Sequence, residues 1–167
     1  MLTWPDPRHP FYKTPSFPFS EIRNLVDENV NLKSRFFFYL SSVIHASQEI
    51  NELLKTKTVV CDRYIHSTLC YHRAADDFFD SFNENKLELL QPDFSFYLDA
   101  DYDVRMRRIA YRENLENEVA VNSDLHDKKF QEKVQLEFSR YKNLIWISTN
   151  SISPEEVADK IFKKIIE

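Results

Sequence analysis

The sequence predicts an α/β fold, in which a three-layer parallel sheet carries helices on both faces. Three short runs rich in β-branched and aromatic residues, TVVC at 58–61, FSFYL at 94–98 and NLIWIST at 143–149, alternate with longer stretches of helical periodicity. This alternation is typical of βα crossovers, which join parallel strands. With 43% hydrophobic residues, a chain of 167 residues can bury a full core. We therefore expect one domain over residues 1–167.

The helices follow from apolar spacing, taken in chain order. A long helix is predicted from Leu32 to Leu54, and another is expected to follow Phe78 and end near Leu90, because Pro92 comes next. Residues 101–114 and 128–141 are also expected to be helical. Ser153, Pro154 and Glu156 have the spacing of an N-cap, a first-turn proline and a capping box, so they should open the last helix.

Two segments lack a clear apolar period. Residues 5–18 contain five prolines together with Phe11, Tyr12 and Phe17. They form either a loop anchored by aromatic side chains or a flexible entry segment. Residues 112–127 are polar and lie between two predicted helices. We interpret them as a candidate lid, which should be the most mobile part of the chain between two helices.

Composition excludes several classes of protein. The chain has 22 basic and 27 acidic residues, a net charge of -5, which argues against broad nucleic-acid or anionic-membrane binding. No apolar run approaches the ~20 residues of a membrane span, and the first residues do not resemble a signal peptide. Cys61 and Cys70 lack metal-ligand spacing and are expected to be reduced thiols. These features favour a cytoplasmic protein.

The sequence contains no glycine. At the average usage of about 7%, a dozen or so would be expected. Glycine provides positive-φ turns and close backbone approach to ligands. Its absence excludes a glycine-rich phosphate-binding loop within these residues.

Asp62 and Arg63 directly follow the apolar run at 58–61. In parallel sheets, ligands bind outside the carboxyl ends of the strands. An aspartate there can hold a Mg²⁺-bound water, and an arginine can bind a phosphate with two hydrogen bonds. The pair would therefore suit phosphoryl transfer, which depends on positioning and charge neutralisation. The alternative is that it only caps the next helix, and spacing alone does not separate the two.

Three motifs resemble the thymidylate kinase family. DRYIHSTLCYHRA at 62–74 resembles the family's DR(Y/F)xxS…AYQ segment, and QPDFSFYLDADYDVRMRRIAYREN at 91–114 is similar to its PDLTFYLDVDPEVALKRIKKRGE stretch. KKFQEKVQLEFSRY at 128–141 looks like the helix after the family's lid. The resemblance covers roughly residues 20–166. YIHSTLCY also looks like the mitochondrial UMP-CMP kinases, which share this fold.

The resemblance implies a P-loop kinase-like fold and transfer of the ATP γ-phosphoryl group, with Mg²⁺, to dTMP or another pyrimidine nucleoside monophosphate. It also allows a homodimer. The family opens with a strand and a glycine-rich loop, and that strand lies centrally in the sheet. MLTWPDP at 1–7 instead looks like the family's second strand. We therefore expect the central first strand to be absent, and strands 58–61 and 94–98 to pair directly or to leave an empty slot.

The resemblance assigns the acceptor site residue by residue. Asp62 matches the family residue that works near Mg²⁺, and Arg63 the one that binds the acceptor phosphate. Ser67 and Tyr71 match side chains that line the acceptor site and flank the base. His72 stands where glutamine is usual, which makes a preference for thymine doubtful. These residues should converge around a cleft.

Four further residues are candidates. Arg108 and Arg112 match the lid arginines, and Arg112 is expected at the junction of helix and lid. The alternative for Arg108 is that it belongs to the polar face of its helix. Phe38 or Tyr39 could stack on the base, although core packing is expected for at least three residues of FFFYL at 36–40.

Two departures from the family bear on activity. No arginine lies between Arg35 and Arg63, where the family has a further phosphate-binding arginine, and the family's glycine-rich phosphate loop is missing. Arg73 also stands where the family has a glycine, and it either adds a phosphate contact or blocks one. Without the phosphate loop, we expect no useful turnover of ATP and dTMP. Two rivals to the enzyme stay open. One is a non-catalytic nucleotide-binding or regulatory homologue, and the other an interaction module with an exposed sheet edge.

Overall fold

The computed structural model describes residues 11–116 and 127–167. Helices and strands alternate along the chain, and all paired strands are parallel, so the α/β class is confirmed. The elements, in chain order, are β1 (Phe11–Lys13), α1 (Phe19–Asn29), α2 (Leu32–Leu53), β2 (Val60–Asp62), α3 (Ile65–Ala75), two 3-10 turns (Asp77–Phe79 and Glu84–Leu87), β3 (Ser95–Asp99), α4 (Tyr102–Glu116), α5 (Lys128–Ser139), β4 (Leu144–Ser148) and α6 (Pro154–Ile166).

The chain divides into two compact units, one up to Gln91 and one from Pro92 onward. Each unit contains one parallel two-stranded sheet, β1–β2 in the first and β3–β4 in the second. The expectation of a single domain stays a prediction. So does the relation between strands 58–61 and 94–98, because these strands belong to different units.

The first unit is built around α2 and α3. Asn31 starts α2 by accepting a hydrogen bond from the Ser34 amide at 2.9 Å. The buried face of α2 packs on α3 and on the chain that follows it. This core contains the following buried residues: Phe36, Leu40, Val43, Ile65, Leu69, Phe79 and Leu89. In the same unit, β1 and β2 pair in register from Phe11 opposite Val60 to Lys13 opposite Asp62.

The second unit pairs β3 with β4 from Ser95 opposite Leu144 to Asp99 opposite Ser148. The ring of Tyr97 lies 4.3 Å from Trp146 on the neighbouring strand and 4.5 Å from Phe138 of α5. These contacts hold α5 on one face of the sheet. The last helix, α6, begins with the capping box that the sequence predicts, in which Ser153 and Glu156 hydrogen-bond to each other's backbone amides.

Several expectations need correction. The helix expected to end near Leu90 is wrong, because two short 3-10 turns occupy that segment and Glu88 follows in the left-handed region at φ 49°. The observed β2, Val60–Asp62, begins and ends later than the expected strand. Neither β1 nor α1 was predicted. β1 is too short for a clear alternation. Phe17, an anchor in only one of the two interpretations of residues 5–18, is 71% exposed.

The run FFFYL at 36–40 contributes fewer core residues than expected. Only Phe36 and Leu40 are buried, whereas Phe37 is 53% exposed and Phe38 and Tyr39 are half-buried. A helix turns by about 100° per residue, so five consecutive apolar residues cannot all face one core.

The expected lid falls largely outside the described residues. α4 continues to Glu116, so Arg112 lies within a helix and not at its junction with a loop. Asp127 then caps α5 by accepting a hydrogen bond from the Phe130 amide. The resemblance of residues 1–7 to a strand also lies outside the described residues. In the described part of the chain, no helix is both long enough and apolar enough to cross a membrane.

Candidate acceptor site at the β1–β2 edge

The carboxyl ends of β1 and β2 meet at one edge of the first sheet. Lys13 ends β1 opposite Asp62, which ends β2. Paired residues on parallel strands project from the same face of a sheet, with neighbouring backbones about 4.8 Å apart. Thr14 ties the edge together: its amide donates to the Asp62 carbonyl at 3.2 Å and its hydroxyl to the Arg63 carbonyl at 3.1 Å.

Arg63 changes the direction of the chain between β2 and α3. Its φ of 66° lies in the left-handed region, which is uncommon for a residue with a Cβ. Backbone strain of this kind costs about 1–3 kcal/mol and is found most often at functional sites. The Cys61 thiol also donates to the Arg63 carbonyl, at 3.1 Å. The backbone of Arg63 is therefore held while its side chain is exposed.

The charged groups of this edge are not neutralised by one another. Lys13, Asp62 and Arg63 are exposed. Within the described residues, none of the three side chains forms an ion pair or a side-chain hydrogen bond. The Arg63 guanidinium instead lies 5.7 Å from the centre of the Tyr71 ring. Two cations and one carboxylate thus remain available to a ligand at the same edge.

Ser67 and Tyr71 lie on α3 one helical turn apart, and both are half-buried. Residues four apart lie on the same face of a helix. Tyr71 contacts Arg63, which connects the helix to the edge. The structure thus brings Asp62, Arg63 and Tyr71 together, and it places Ser67 between them along the chain.

The expected cleft does not coincide with either of two cavities in the first unit. One cavity, of about 340 Å³, is lined mainly by phenylalanines around Phe36 and Phe79, with Lys86 at its polar side. The other, of about 450 Å³, lies next to it around Leu32 and Phe37. Asp62, Arg63, Ser67 and Tyr71 line neither of them.

His72 is buried, with 7% of its surface exposed. Its Nδ1 lies 2.6 Å from the Thr68 carbonyl oxygen, and the Phe36 ring lies 5.2 Å away. Burial is the main cause that lowers the pKa of His72, and the nearby Arg35 lowers it further, although the contact with Thr68 raises it. The ring is therefore neutral at pH 7.

The two candidate stacking residues have different surroundings. The Phe38 ring lies 5.6 Å from Phe19 of α1. The Tyr39 hydroxyl donates to Asp27 at 2.9 Å and accepts from Arg23 at 3.0 Å. Tyr39 is thus fixed by α1, with its ring 6.1 Å from His72. The Phe38 ring lies 5.4 Å from the Tyr39 ring, so the two candidates are in contact with each other.

Two of the predicted arginines have structural partners. Arg73 donates to the Phe79 and Phe82 carbonyls at 3.3 and 2.9 Å, and it pairs with Glu84 at 3.4 Å. It therefore holds the 3-10 turns of the first unit. In the second unit, Arg108 donates to the hydroxyl and carbonyl of Thr149 at 2.9 and 2.5 Å.

Arg112, by contrast, is exposed and has no ion pair or side-chain hydrogen bond within the described residues. Thr149, the partner of Arg108, also donates to the Asp99 carbonyl. Arg108 therefore ties the ends of β3 and β4 together. Of the two candidate lid arginines, only Arg112 has a guanidinium without a partner among the residues that the structure describes.

Within residues 11–116 and 127–167, no three His, Cys, Asp or Glu side chains converge as a metal-binding group. The Asp62 carboxylate is exposed and unpaired, so it can accept a hydrogen bond from a metal-bound water. This fits a Mg²⁺ ion that arrives with the phosphates of a nucleotide, as Mg²⁺ commonly does.

Sequence reasoning missed Lys13. Its three-residue strand carries no recognisable pattern, and only the parallel register with β2 brings it beside Asp62. The signal that could have found it is Pro15, which follows soon after and favours an extended chain before it.

A family model for thymidylate kinase matches residues 20–161 of the chain. Among curated relatives, the probable thymidylate kinase of Methanocaldococcus jannaschii is 32% identical over 139 residues, which cover 79% of this chain and 66% of the relative. The thymidylate kinase of Clostridium novyi is 28% identical over 160 residues, covering 87% of this chain and 74% of the relative. The chain thus spans just under two thirds of the first of these relatives.

Two solved structures have a similar fold. The thymidylate kinase of Candida albicans aligns with a TM-score of 0.63 at 17% identity, covering 94% of this chain and 79% of that one. The thymidylate kinase of Ehrlichia chaffeensis aligns with a TM-score of 0.65 at 18% identity, covering 96% and 82%. At these identities the likeness establishes the fold, which is that of the P-loop kinases.

Proposed function

The chain belongs to the thymidylate kinase family, and from that premise we propose that it binds a pyrimidine nucleoside monophosphate, such as dTMP, as the acceptor in phosphoryl transfer from ATP. The observation that carries this proposal is the edge formed by β1 and β2. There Lys13, Asp62 and Arg63 present charges that are unpaired within the described residues. They lie at the carboxyl ends of two parallel strands, which is where α/β sheets bind ligands.

Each residue at the edge has a distinct part in this proposal. The Arg63 guanidinium binds the acceptor phosphate with two hydrogen bonds, and the Lys13 ammonium adds a second positive charge. The Asp62 carboxylate would accept hydrogen bonds from the waters of a bound Mg²⁺, and the ion would supply positive charge to the phosphates. Ser67 and Tyr71 line the acceptor site from α3.

The residues needed to bind ATP, the phosphoryl donor, are less complete than those proposed to bind the acceptor. The sequence has no glycine, so these residues contain no glycine-rich loop to hold the ATP phosphates. We therefore propose that the chain binds the acceptor but transfers the phosphoryl group slowly. A coupled assay of ADP release should give a turnover well below about 1 s⁻¹, the lower end of the usual kinase range. Turnover at or above that value would contradict this part of the proposal.

The acceptor part can be tested by calorimetric titration of the full chain with dTMP and with thymidine. Thymidine keeps the base and the sugar but lacks the phosphate. We expect dTMP to bind at least tenfold more tightly, because a charge-assisted hydrogen bond contributes about 1.5–3 kcal/mol. Equal affinities would mean that the edge does not bind a phosphate, and no binding of either compound would favour an interaction module.

A cytoplasmic location and a homodimeric state complete the proposal. The cytoplasmic part of the proposal is supported by Cys61 and Cys70, which form no disulfide within the described residues. Analytical ultracentrifugation of the purified chain over a range of concentrations would measure the oligomeric state, and a single monomeric species throughout would refute the dimer.

A further inference from the structure

One cavity of the first unit is lined mainly by aromatic side chains. Five phenylalanines enclose its volume of about 340 Å³, which falls within the range of small-molecule sites, about 300–1,000 Å³. Two of them, Phe36 and Phe79, are each 1% exposed, and their ring centres lie 4.7 Å apart. They belong to the packed core of the unit, so the cavity has a fixed apolar floor.

The walls of this cavity keep large aromatic surfaces in contact with solvent. Phe37 of α2 is 53% exposed, and Phe78 of the first 3-10 turn is 51% exposed. A single exposed apolar residue needs no explanation, but two phenylalanines that line one cavity form a contiguous patch, and such patches mark binding sites. The Lys33 ammonium lies 3.8 Å from the centre of the Phe78 ring and restrains it by a cation–π contact. The walls therefore suit a flat aromatic ligand.

The polar side of the cavity is suited to an anion. Lys86 is the one charged residue among the described residues that line it. Its side chain forms no ion pair or hydrogen bond within the described residues. The Asn83 Oδ1 atom already accepts a hydrogen bond from the Asn85 amide at 3.0 Å, so its Nδ2 is the atom left to donate. An ionised carboxylate, which can only accept hydrogen bonds, matches these two donors.

Arg73 fixes the backbone around the cavity. Its guanidinium donates to the Phe79 and Phe82 carbonyls at 3.3 and 2.9 Å. It also pairs with Glu84 at 3.4 Å, so the Glu84 carboxylate is neutralised by Arg73 and not by Lys86. Lys86 thus keeps its charge for a ligand. Because the carbonyls are held, the cavity is formed before a ligand arrives, which lowers the entropy cost of binding.

We propose that this cavity binds a small aromatic monocarboxylate. Its ring packs between Phe37 and Phe78, and its carboxylate accepts hydrogen bonds from the Lys86 ammonium. Asn83 Nδ2 is the second donor to the carboxylate. The site goes beyond the proposed function, because none of the residues proposed to bind the acceptor lines this cavity.

The surroundings of the cavity argue for a small ligand with one negative charge. Asp77 and Asp80 are exposed on the same segment as Phe78. They repel a peptide rich in acidic residues or a nucleotide, whose phosphate carries more than one charge, whereas one carboxylate is offset by Lys86. Two exposed phenylalanines are also too little surface for a stable protein interface, which buries about 800 Å² on each partner.

The first experiment titrates the full chain with 2-naphthoate and with two matched compounds, followed by amide shifts in NMR spectra. Naphthalene-2-carboxamide keeps the rings but has no charge, and decahydro-2-naphthoate keeps the charge but has no aromatic ring. We expect 2-naphthoate to bind at least about fivefold more tightly than either compound. Equal binding of the acid and the amide would overturn the proposal, as would no binding of 2-naphthoate at about 5 mM.

Competition with dTMP separates this site from the acceptor site. Saturating dTMP should leave 2-naphthoate bound, and displacement of 2-naphthoate would place it in the acceptor site and overturn the proposal. The proposed function is tested separately, because a chain that fails to bind dTMP would still bind 2-naphthoate.

The second experiment uses variants of exposed residues. Phe37→Ser removes one wall and Lys86→Gln removes the charge, and each should weaken binding of 2-naphthoate at least about fivefold. Lys86→Arg should retain binding, because it keeps the charge. The matched controls are Phe162→Ser and Lys160→Gln on α6, which are also exposed and lie in the second unit. Circular dichroism melts would show that each variant is folded. Equal losses in the controls would contradict the assignment.

A third measurement uses the parent chain and does not depend on folding of a variant. In the full chain with ¹³C-labelled phenylalanine, the ring protons of bound 2-naphthoate should show intermolecular nuclear Overhauser effects to the rings of Phe37 and Phe78. Effects to Phe162 or Phe94 alone, which are exposed in the second unit, would overturn the proposal whatever the titrations give.

Discussion

The guanidinium carbon of Arg63 lies 5.7 Å from the centre of the Tyr71 ring. This contact joins the turn after β2 to the face of α3, and it holds a charged side chain that no carboxylate neutralises within the described residues. A cation over an aromatic ring gains roughly 0.5–1 kcal/mol at an exposed site. Arg63 is thus partly ordered before a ligand arrives, which lowers the entropy cost of binding.

Replacement of Arg63 by alanine should weaken dTMP binding about tenfold or more, because a charge-assisted hydrogen bond to the phosphate is lost. Affinity for thymidine should not change. Arg107→Ala is the matched control, since Arg107 is an exposed arginine of α4. Calorimetric titration measures both effects. An equal loss of affinity for thymidine would indicate that Arg63 acts through the fold and not on the phosphate.

Replacement of Arg108 and of Arg112, the two candidate lid arginines of α4, should change the free energy of unfolding by different amounts. Arg108→Ala removes two hydrogen bonds to Thr149 and should lower the free energy of unfolding by about 1 kcal/mol. Arg112→Ala should leave it within about 0.5 kcal/mol of the parent, because Arg112 is exposed. Urea unfolding followed by circular dichroism makes the comparison. Equal destabilisation by the two changes would contradict the structural role of Arg108.

Arg73 should be needed for stability. Arg73→Ala removes its hydrogen bonds to the Phe79 and Phe82 carbonyls, and the free energy of unfolding should fall by about 2 kcal/mol. Lys86→Ala is a suitable control, because Lys86 is exposed on the same segment. Guanidinium unfolding curves would give both values. If Arg73→Ala is as stable as the parent but loses nucleotide affinity, Arg73 binds phosphate instead.

The capping box of α6 should contribute measurably to the free energy of unfolding. Ser153→Ala leaves the Glu156 amide without its side-chain acceptor, so the free energy of unfolding should fall by about 1 kcal/mol. Ser151→Ala, two residues earlier and outside the helix, should have little effect. Thermal melts of the two variants would decide. No difference between them would mean that the cap is not formed in solution.

Cys61 should react slowly with thiol reagents. Burial, together with the neighbouring Asp62, raises its pKa from 9.0 to about 12, so about one thiol in ten thousand is ionised at pH 8. Colorimetric thiol titration of a Cys70→Ser variant at pH 8 should therefore show slow labelling, which becomes fast in urea. The unfolded chain ionises first as pH rises, so stability should fall between pH 9 and 12. Fast labelling of the folded variant would contradict the burial of the Cys61 thiol beside Asp62.

The sequence by itself determined the class of the fold, the order of most elements and the residues around which the site is built. Helical periodicity located α2, α4, α5 and α6, because these helices bury one face each and their spacing is a local property. The capping box at Ser153 was predictable for the same reason. Asp62 and Arg63 could be placed because they directly follow an apolar run. The helix predicted after Phe78 is wrong, because its aromatic residues suggested a helix that the chain does not form. An asparagine cap and the left-handed conformation of Glu88 instead limit this segment to short turns.

The tertiary structure alone decided which side chains are free and which are used. The register of β1 against β2 brings Lys13 beside Asp62, although the two are far apart in sequence. Likewise, Arg108 and Arg112 belong to one helix and one motif, yet only Arg108 reaches Thr149. His72 gains its aromatic surroundings from α2 and the 3-10 turns. The local sequence pattern shows which face of a helix or strand is apolar. Hydrogen-bond partners depend instead on contacts between distant segments, which no local pattern encodes.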